Sequence, residues 1–196
     1  MNAEFRSLLE LLGMLLTDPR TSVLIALLVI GAARDYRTFK IPNWLTYGGA
    51  TFALIYNTVV PFPFHAGFLW AFGGLWVGLL LMLPMYILRA MGAGDVKLMA
   101  MAGAFLGASD AFYAALYVFI VGGIFALGYG IAHRAFGRVL LNIKGIFGSL
   151  ILAAITSTRP DMQGTVTKSV GKLPYGVSIA LGTIGYVVAR QLGYAS

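Results

Sequence analysis

Two aspartates stand out among the seven acidic residues of this chain, because their surroundings suit acid–base chemistry. Asp35 ends an apolar stretch and precedes a basic turn, while Asp95 follows a glycine-rich turn and precedes another apolar stretch. Two neighbouring carboxylates can share one proton, so that one activates a water molecule and the other donates to a substrate carbonyl. Alone, Asp95 would also be explained as a helix N-cap and Asp35 as a surface charge neutralised by the basic residues near it, and only the pair favours catalysis.

Other kinds of chemistry find little support in the sequence. The absence of cysteine excludes a thiolate zinc site and a cysteine nucleophile. His65 and His133 fall on opposite sides of the predicted topology, so they cannot form one site. The remaining acidic residues have ordinary explanations as helix caps or solvated charges, and these are Glu4, Glu10, Asp18, Asp110 and Asp161. No glycine fingerprint for a nucleotide is present, and we expect neither a metal nor an organic cofactor.

The composition indicates a chain that lies mostly within a membrane. Of its 196 residues, 59% are hydrophobic and 11% are charged, whereas a soluble domain carries roughly 25% charged residues. This apolar content excludes a disordered chain and argues strongly against a soluble globular domain. A membrane-spanning helix needs about 20 mostly apolar residues, so the length allows about six or seven spans.

Six stretches are predicted to span the membrane as helices, which makes the chain an all-α polytopic bundle with a single domain over residues 1–196. The first begins at Asp18 and Pro19, residue types that suit a helix cap and a first helical position. Small residues four positions apart, at 74/78, 103/107 and 126/130, predict close helix contacts. The six stretches cover about residues 19–36, 43–60, 68–88, 95–106 or beyond, 110–132 and 173–192.

Two segments outside these stretches receive separate predictions. Residues 1–17 space their apolar side chains three and four apart, which indicates an amphipathic helix too short to span and therefore lying at the membrane surface. Residues 133–172 are expected to form a cytoplasmic segment, in which residues 139–156 are apolar enough for a surface or re-entrant helix. A full crossing by residues 139–156 is the alternative.

The basic residues orient the predicted bundle. With six spans, all 14 of them except Arg6, Arg20 and Arg190 fall on one side, and Lys and Arg accumulate in cytoplasmic loops. This side is therefore predicted to be cytoplasmic, with both termini outside. Orientation accounts for the net charge of +7, so a nucleic-acid partner is not expected. Because an even number of crossings separates Asp35 from Asp95, both carboxylates are predicted on the cytoplasmic side.

The residues around both aspartates resemble a known family. GAGDVK (92–97) matches the GxGDxK signature of the GxGD aspartic membrane proteases. Asp35 with the following YRTFKIPNWLT resembles the first aspartate motif of the type IV prepilin peptidases. LPYGVSIALG (173–182) is similar to their C-terminal proline–aromatic–glycine stretch. The length and layout look most like the Flp/Tad subtype (TadV/CpaA-like). GxGD alone is a weak signal, but the three motifs occur in order over most of the chain.

The resemblance implies a set of site residues. Asp35 and Asp95 would be the catalytic pair. Gly92 and Gly94 would let the backbone bend and a substrate strand approach, and Lys97 would either tune the pair or mark the membrane interface. The supporting motif residues are Gly92, Gly94, Lys97, Pro42, Asn43, Pro174, Tyr175 and Gly176.

The resemblance also implies a substrate and a location. The protein would be an aspartic endopeptidase of the bacterial cytoplasmic membrane with its active site facing the cytoplasm. Its substrates would be prepilins and pseudopilins, cleaved after the glycine that separates a short basic leader from a hydrophobic helix. Larger members of the family carry paired cysteines in an added region and N-methylate the product. This chain has no cysteine, so proteolysis without methylation is expected.

Two other functions fit the same pair of aspartates. In a small transporter or channel, Asp35 and Asp95 would bind a proton or a cation. In a non-enzymatic assembly subunit, they would pair with Arg34 or Lys97 for structural reasons. Neither alternative predicts cleavage of a prepilin.

Overall fold

The computed structural model describes residue 13 and residues 18–60, 67–88, 90–132 and 174–194. Within these ranges the chain is all-helical and contains no strand, which confirms the all-α part of the predicted fold class. The bounds of all six predicted stretches agree with the helices to within a turn. The helices are α1 (Pro19–Thr38), α2 (Asn43–Val59), α3 (Phe68–Ile87), α4 (Ala93–Leu106), α5 (Ala108–Ala132) and α6 (Tyr175–Gln191).

Two of the described helices are long and apolar enough to cross a membrane, judged by length and composition. They are α3 and residues 108–128 of α5. Both carry exposed apolar side chains along their length, among them Leu69, Leu80, Ile120 and Ile124. Membrane crossing itself stays a prediction for all six helices.

The chain divides into two compact units, residues 1–122 with 174–196, and residues 123–173. The first unit contains both aspartates. Of the second unit, the structure describes only residues 123–132, the end of α5. The predicted cytoplasmic segment 133–172, with its helix at 139–156, lies outside the described residues. Of the predicted surface helix 1–17, only Gly13 is described, and it is helical.

Helix α1 begins and ends as its sequence predicts. The Asp18 carboxylate accepts hydrogen bonds from the Arg20 amide at 3.1 Å and from the Thr21 hydroxyl at 2.7 Å. At the other end, Phe39 takes a left-handed conformation (φ 51°) and its N–H donates to the carbonyl oxygen of Asp35. Pro42 then precedes α2 in extended conformation. The chain therefore reverses directly after Asp35.

Helix α4 is buried in the middle of the first unit, where it packs against α1, α2, α3 and α6. Its contact with α3 depends on the predicted small residues. A Cβ atom on Gly78 would lie 2.5 Å from the Met99 carbonyl oxygen, and one on Gly74 would collide with the Gly103 carbonyl oxygen. With 14 residues, α4 is only about 21 Å long, whereas a bilayer core is about 30 Å thick.

Helix α6 runs antiparallel to α1, and its first turn lies beside Asp35. It packs along α1 and closely against α5, because a Cβ atom on Gly182 would lie 2.6 Å from the Cα of Val118. The contact between the first turn of α6 and the last turn of α1 includes the bond from the Gly176 amide to Asp35.

Candidate active site

The Asp35 carboxylate lies in the last turn of α1, where α6 covers it and leaves 5% of the residue exposed. The Gly176 amide donates a hydrogen bond to Asp35 Oδ2 at 2.7 Å. A Cβ atom on Gly176 would lie 2.8 Å from Asp35 Cβ. A glycine at this position therefore allows the backbone of α6 to approach the carboxylate closely enough to bind it.

The Asp95 carboxylate lies in the first turn of α4 and is 6% exposed. The Gly92 amide donates to Asp95 Oδ2 at 2.9 Å, in the geometry of a capping box. Asp95 Oδ1 is buried and has no hydrogen-bond partner among the described residues. Helix capping, one of the two interpretations of this residue, thus accounts for one oxygen and leaves the other available.

The structure brings the two aspartates together. The helices that carry them are in contact, and Asp35 is within electrostatic range of the Asp95 carboxylate. Each is held by one amide N–H of a glycine, and neither forms an ion pair within the described part of the chain. Two neighbouring carboxylates offer the two groups that general acid and general base catalysis needs.

The C-terminal motif also reaches this site. Pro174 immediately precedes α6, and the Gly176 amide binds Asp35. The Tyr175 phenol is partly buried and lies within electrostatic range of the Asp95 carboxylate. Tyr175 and Gly176 therefore lie near the aspartates, and Pro174 directly precedes them, although all three follow Asp95 by a long stretch of sequence.

The remaining motif residues lie beside the pair rather than on it. Gly94 packs against Ile41, since a Cβ atom on Gly94 would lie 3.2 Å from Ile41 Cβ. Lys97 Nζ donates to Asn43 Oδ1 at 3.0 Å and lies 5.0 Å from the ring centroid of Tyr47. The sequence did not indicate Ile41 or Tyr47, although both lie within the stretch that carries the first aspartate motif.

The opposite end of the bundle contains a polar cluster that the sequence did not predict. Asp110, interpreted from the sequence as a cap or a solvated charge, is paired with Arg190 and accepts a hydrogen bond from the Tyr186 hydroxyl at 2.9 Å. Buried Asn57 donates to the Ala53 carbonyl oxygen at 2.8 Å. The only available signal was that Asp110 and Arg190 were both predicted at the outer ends of spans.

The described residues contain no group of three or more histidine, cysteine, aspartate or glutamate side chains that could hold a metal ion. His65 and His133 lie outside these residues. The polar groups that the structure places at this site are the two carboxylates, the Gly92 and Gly176 amides and the Tyr175 hydroxyl.

One comparison with known proteins gave a match. The family model of the type IV leader peptidase family matches residues 22–127. The matched region covers more than half of the chain and includes Asp35, Asp95 and the turns beside them. No curated protein and no solved structure matches the chain.

Proposed function

Because the chain belongs to the type IV leader peptidase family, we propose that it removes the leader from Flp-type prepilins with Asp35 and Asp95 as the catalytic pair. Peptidases of this family are embedded in bacterial membranes and act on prepilins. The finer assignment comprises the Flp/Tad subtype, the GxGD aspartic mechanism, cleavage after a glycine, action on pseudopilins, and no N-methylation. It rests on the motifs around the two aspartates and on the absence of cysteine.

The observation that carries the proposal is the state of the two carboxylates. Both are buried, and neither has a described cation as a partner. Burying a carboxylate without a compensating charge costs folding free energy, so such groups are frequent at sites that use them. An assembly subunit that paired Asp35 or Asp95 with Arg34 or Lys97 would have shown ion pairs here. The family match does not favour a transporter.

The proposed reaction is a hydrolysis with general acid and general base catalysis. One carboxylate takes a proton from a water molecule, whose oxygen attacks the carbonyl carbon of the leader's last residue. The other carboxyl group, protonated, donates its proton to the carbonyl oxygen. The tetrahedral diol then collapses, the C–N bond breaks, and the leaving amine takes the proton that came from water. A diol hydroxyl returns the second proton, which restores the pair.

Two features support a water site at Asp95. Asp95 Oδ1 is the oxygen of this pair that is both fully buried and without a hydrogen-bond partner among the described residues. A polar atom in this state accepts a hydrogen bond from any water or substrate group that enters. The bond from Gly92 meanwhile holds Oδ2 and keeps the carboxylate from rotating away.

The proposed location is the bacterial inner membrane, with the chain as one peptidase domain of about six spans and the site facing the cytoplasm. Its support is the uneven distribution of basic residues and the exposed apolar side chains of α3 and α5. Residues 1–17 would lie at the surface and residues 133–172 in the cytoplasm. A reporter fused after Ser196 tests this topology, because a full crossing by residues 139–156 would move the C-terminus to the cytoplasm.

The decisive experiment follows leader removal by mass spectrometry. Purified protein in lipid nanodiscs is mixed with several Flp-type prepilins, and the product mass locates the cleaved bond. We expect cleavage by the wild type and none by Asp35→Asn or Asp95→Asn. Full cleavage by either variant would exclude the two-aspartate mechanism. No cleavage of any prepilin by folded wild type would contradict the proposed function.

A further inference from the structure

The chain segment that follows Asp35, at the start of α2, packs against the segment that contains Asp95, at the start of α4. Two contacts join them, one on each side of Asp95 in sequence. Before it, Gly94 packs on Ile41 in the turn between α1 and α2. After it, Lys97 Nζ donates to the side chain of Asn43 at 3.0 Å and lies over the ring of Tyr47. The start of α2 is thus tied to the start of α4.

The contacts of Lys97 are with neutral groups. Asn43 offers an amide oxygen and Tyr47 an aromatic face, and Lys97 forms no ion pair with a described residue. A lysine that tuned the aspartates by its charge would be expected beside a carboxylate. The contacts of Lys97 instead span the gap between two helices, for which its long stem and three N–H donors are suited.

From this geometry we propose that Lys97 is a positioning residue. Together with Asn43 and Tyr47 it clasps α2 to α4 and so sets the separation of the two aspartate-bearing turns. The effect of this role on catalysis rests on the proposed function. Two carboxylates can share a proton only when their separation lies within a narrow range. Errors of about 1 Å in the placement of catalytic groups can cost a hundredfold in rate.

The first test measures the clasp without any enzymatic activity. Because the chain has no cysteine, two introduced cysteines take up spin labels specifically. Arg37→Cys and Ala93→Cys place exposed labels on the last turn of α1 and the first turn of α4. In the otherwise unchanged protein we expect a narrow distance distribution. Adding Lys97→Met is expected to broaden or shift it, and an unchanged distribution would overturn the proposal.

The second test separates position from charge. For Lys97→Met we expect kcat to fall by about tenfold to a hundredfold, with KM and the shape of the pH profile little changed. Lys40→Met removes the same charge from an exposed side chain that has no described partner, and it is expected to cleave like the wild type. A shifted pH profile with an unchanged label distance would instead show that Lys97 acts through its charge.

The third test uses the partner residue. Asn43→Leu removes the acceptor and is expected to lose as much kcat as Lys97→Met, while the double variant loses no more than either alone, because both changes break one contact. Asn43→Asp keeps the acceptor and is expected to retain activity. Additive losses would overturn the clasp. Should Lys97→Met fail to fold, Asn43→Leu takes its place in the distance measurement between the spin labels. If the wild type cleaves no prepilin, that result counts against the proposed function, and the label distances still test the clasp.

Discussion

The two ends of the helical bundle hold their acidic side chains in opposite ways. At one end, Asp35 and Asp95 are buried, and each receives one hydrogen bond from a glycine amide but no cation within the described residues. At the other end, Asp18 lies 3.9 Å from the Arg20 guanidinium, and Asp110 is paired with Arg190 and bonded to Tyr186.

The difference separates carboxylates that stabilise the fold from carboxylates that the proposed function uses for chemistry. A carboxylate paired with a guanidinium and a phenol has its charge compensated, and losing it weakens the fold. Burying a carboxylate costs folding free energy, and a single amide donor does not offset that cost. At the aspartate end the fold therefore tolerates an unfavourable arrangement, which is expected at a functional site.

The largest expected effect comes from the same substitution made at both ends. Asp95→Asn is expected to abolish prepilin cleavage, with a loss of at least about a hundredfold, typical of removing an acid–base catalyst. Because it removes a buried charge, its thermal unfolding temperature is expected to be equal to or above that of the wild type. Asp110→Asn is expected to do the reverse, lowering the unfolding temperature while folded protein cleaves at the normal rate.

Scanning calorimetry in nanodiscs measures the unfolding temperatures of the two variants, and cleavage assays measure their rates per folded molecule. A marked fall in the unfolding temperature of Asp95→Asn would show that Asp95 is a structural carboxylate like Asp110, and the contrast between the ends would disappear.

The parts of this contrast that depend on local sequence could be predicted. Asp18 and Pro19 marked the start of α1, and glycine-rich or proline-containing turns marked the aspartates, because capping and turn preferences act over a few residues. The small residues of α3 and α4 also predicted a close contact, because their spacing of four places them on one face of a helix.

The rest depended on which helices become neighbours. Nothing near Asp110 in the sequence indicates Tyr186 or Arg190, since they come from α6, and Asp110 consequently looked like a solvated charge. The partner of Lys97 is Asn43, at the start of α2, and a contact between these two residues could not be predicted from the sequence around either one. Side-chain pairs between helices follow from packing, which periodicity within one helix does not specify.

The next largest effect concerns how the aspartate end is held. Gly176→Ala would place a Cβ atom 2.8 Å from Asp35 Cβ, so α6 or the carboxylate must move. We expect the cleavage rate to fall by about tenfold to a hundredfold, as for other small displacements of catalytic groups.

Gly185→Ala is the matched control for this change in the same helix. Its Cβ atom would meet its nearest neighbour, Tyr117 Cδ1, at an ordinary 3.9 Å. Replacing a helical glycine by alanine is expected to stabilise the protein by about 0.5–1 kcal/mol, with normal cleavage. Equal cleavage rates for the two alanine variants would show that the approach of Gly176 to Asp35 does not position the carboxylate.

The smallest expected effect tests the other end alone. Tyr186→Phe keeps the buried ring and removes only the hydroxyl that donates to Asp110 at 2.9 Å. A hydrogen bond to a carboxylate that keeps its ion pair contributes about 1–2 kcal/mol, so the free energy of unfolding should fall by that amount while kcat stays unchanged. Unfolding in denaturant and cleavage kinetics measure the two quantities. A lower kcat at unchanged stability would mean that this end contributes to catalysis, and that the division of labour between the two ends is wrong.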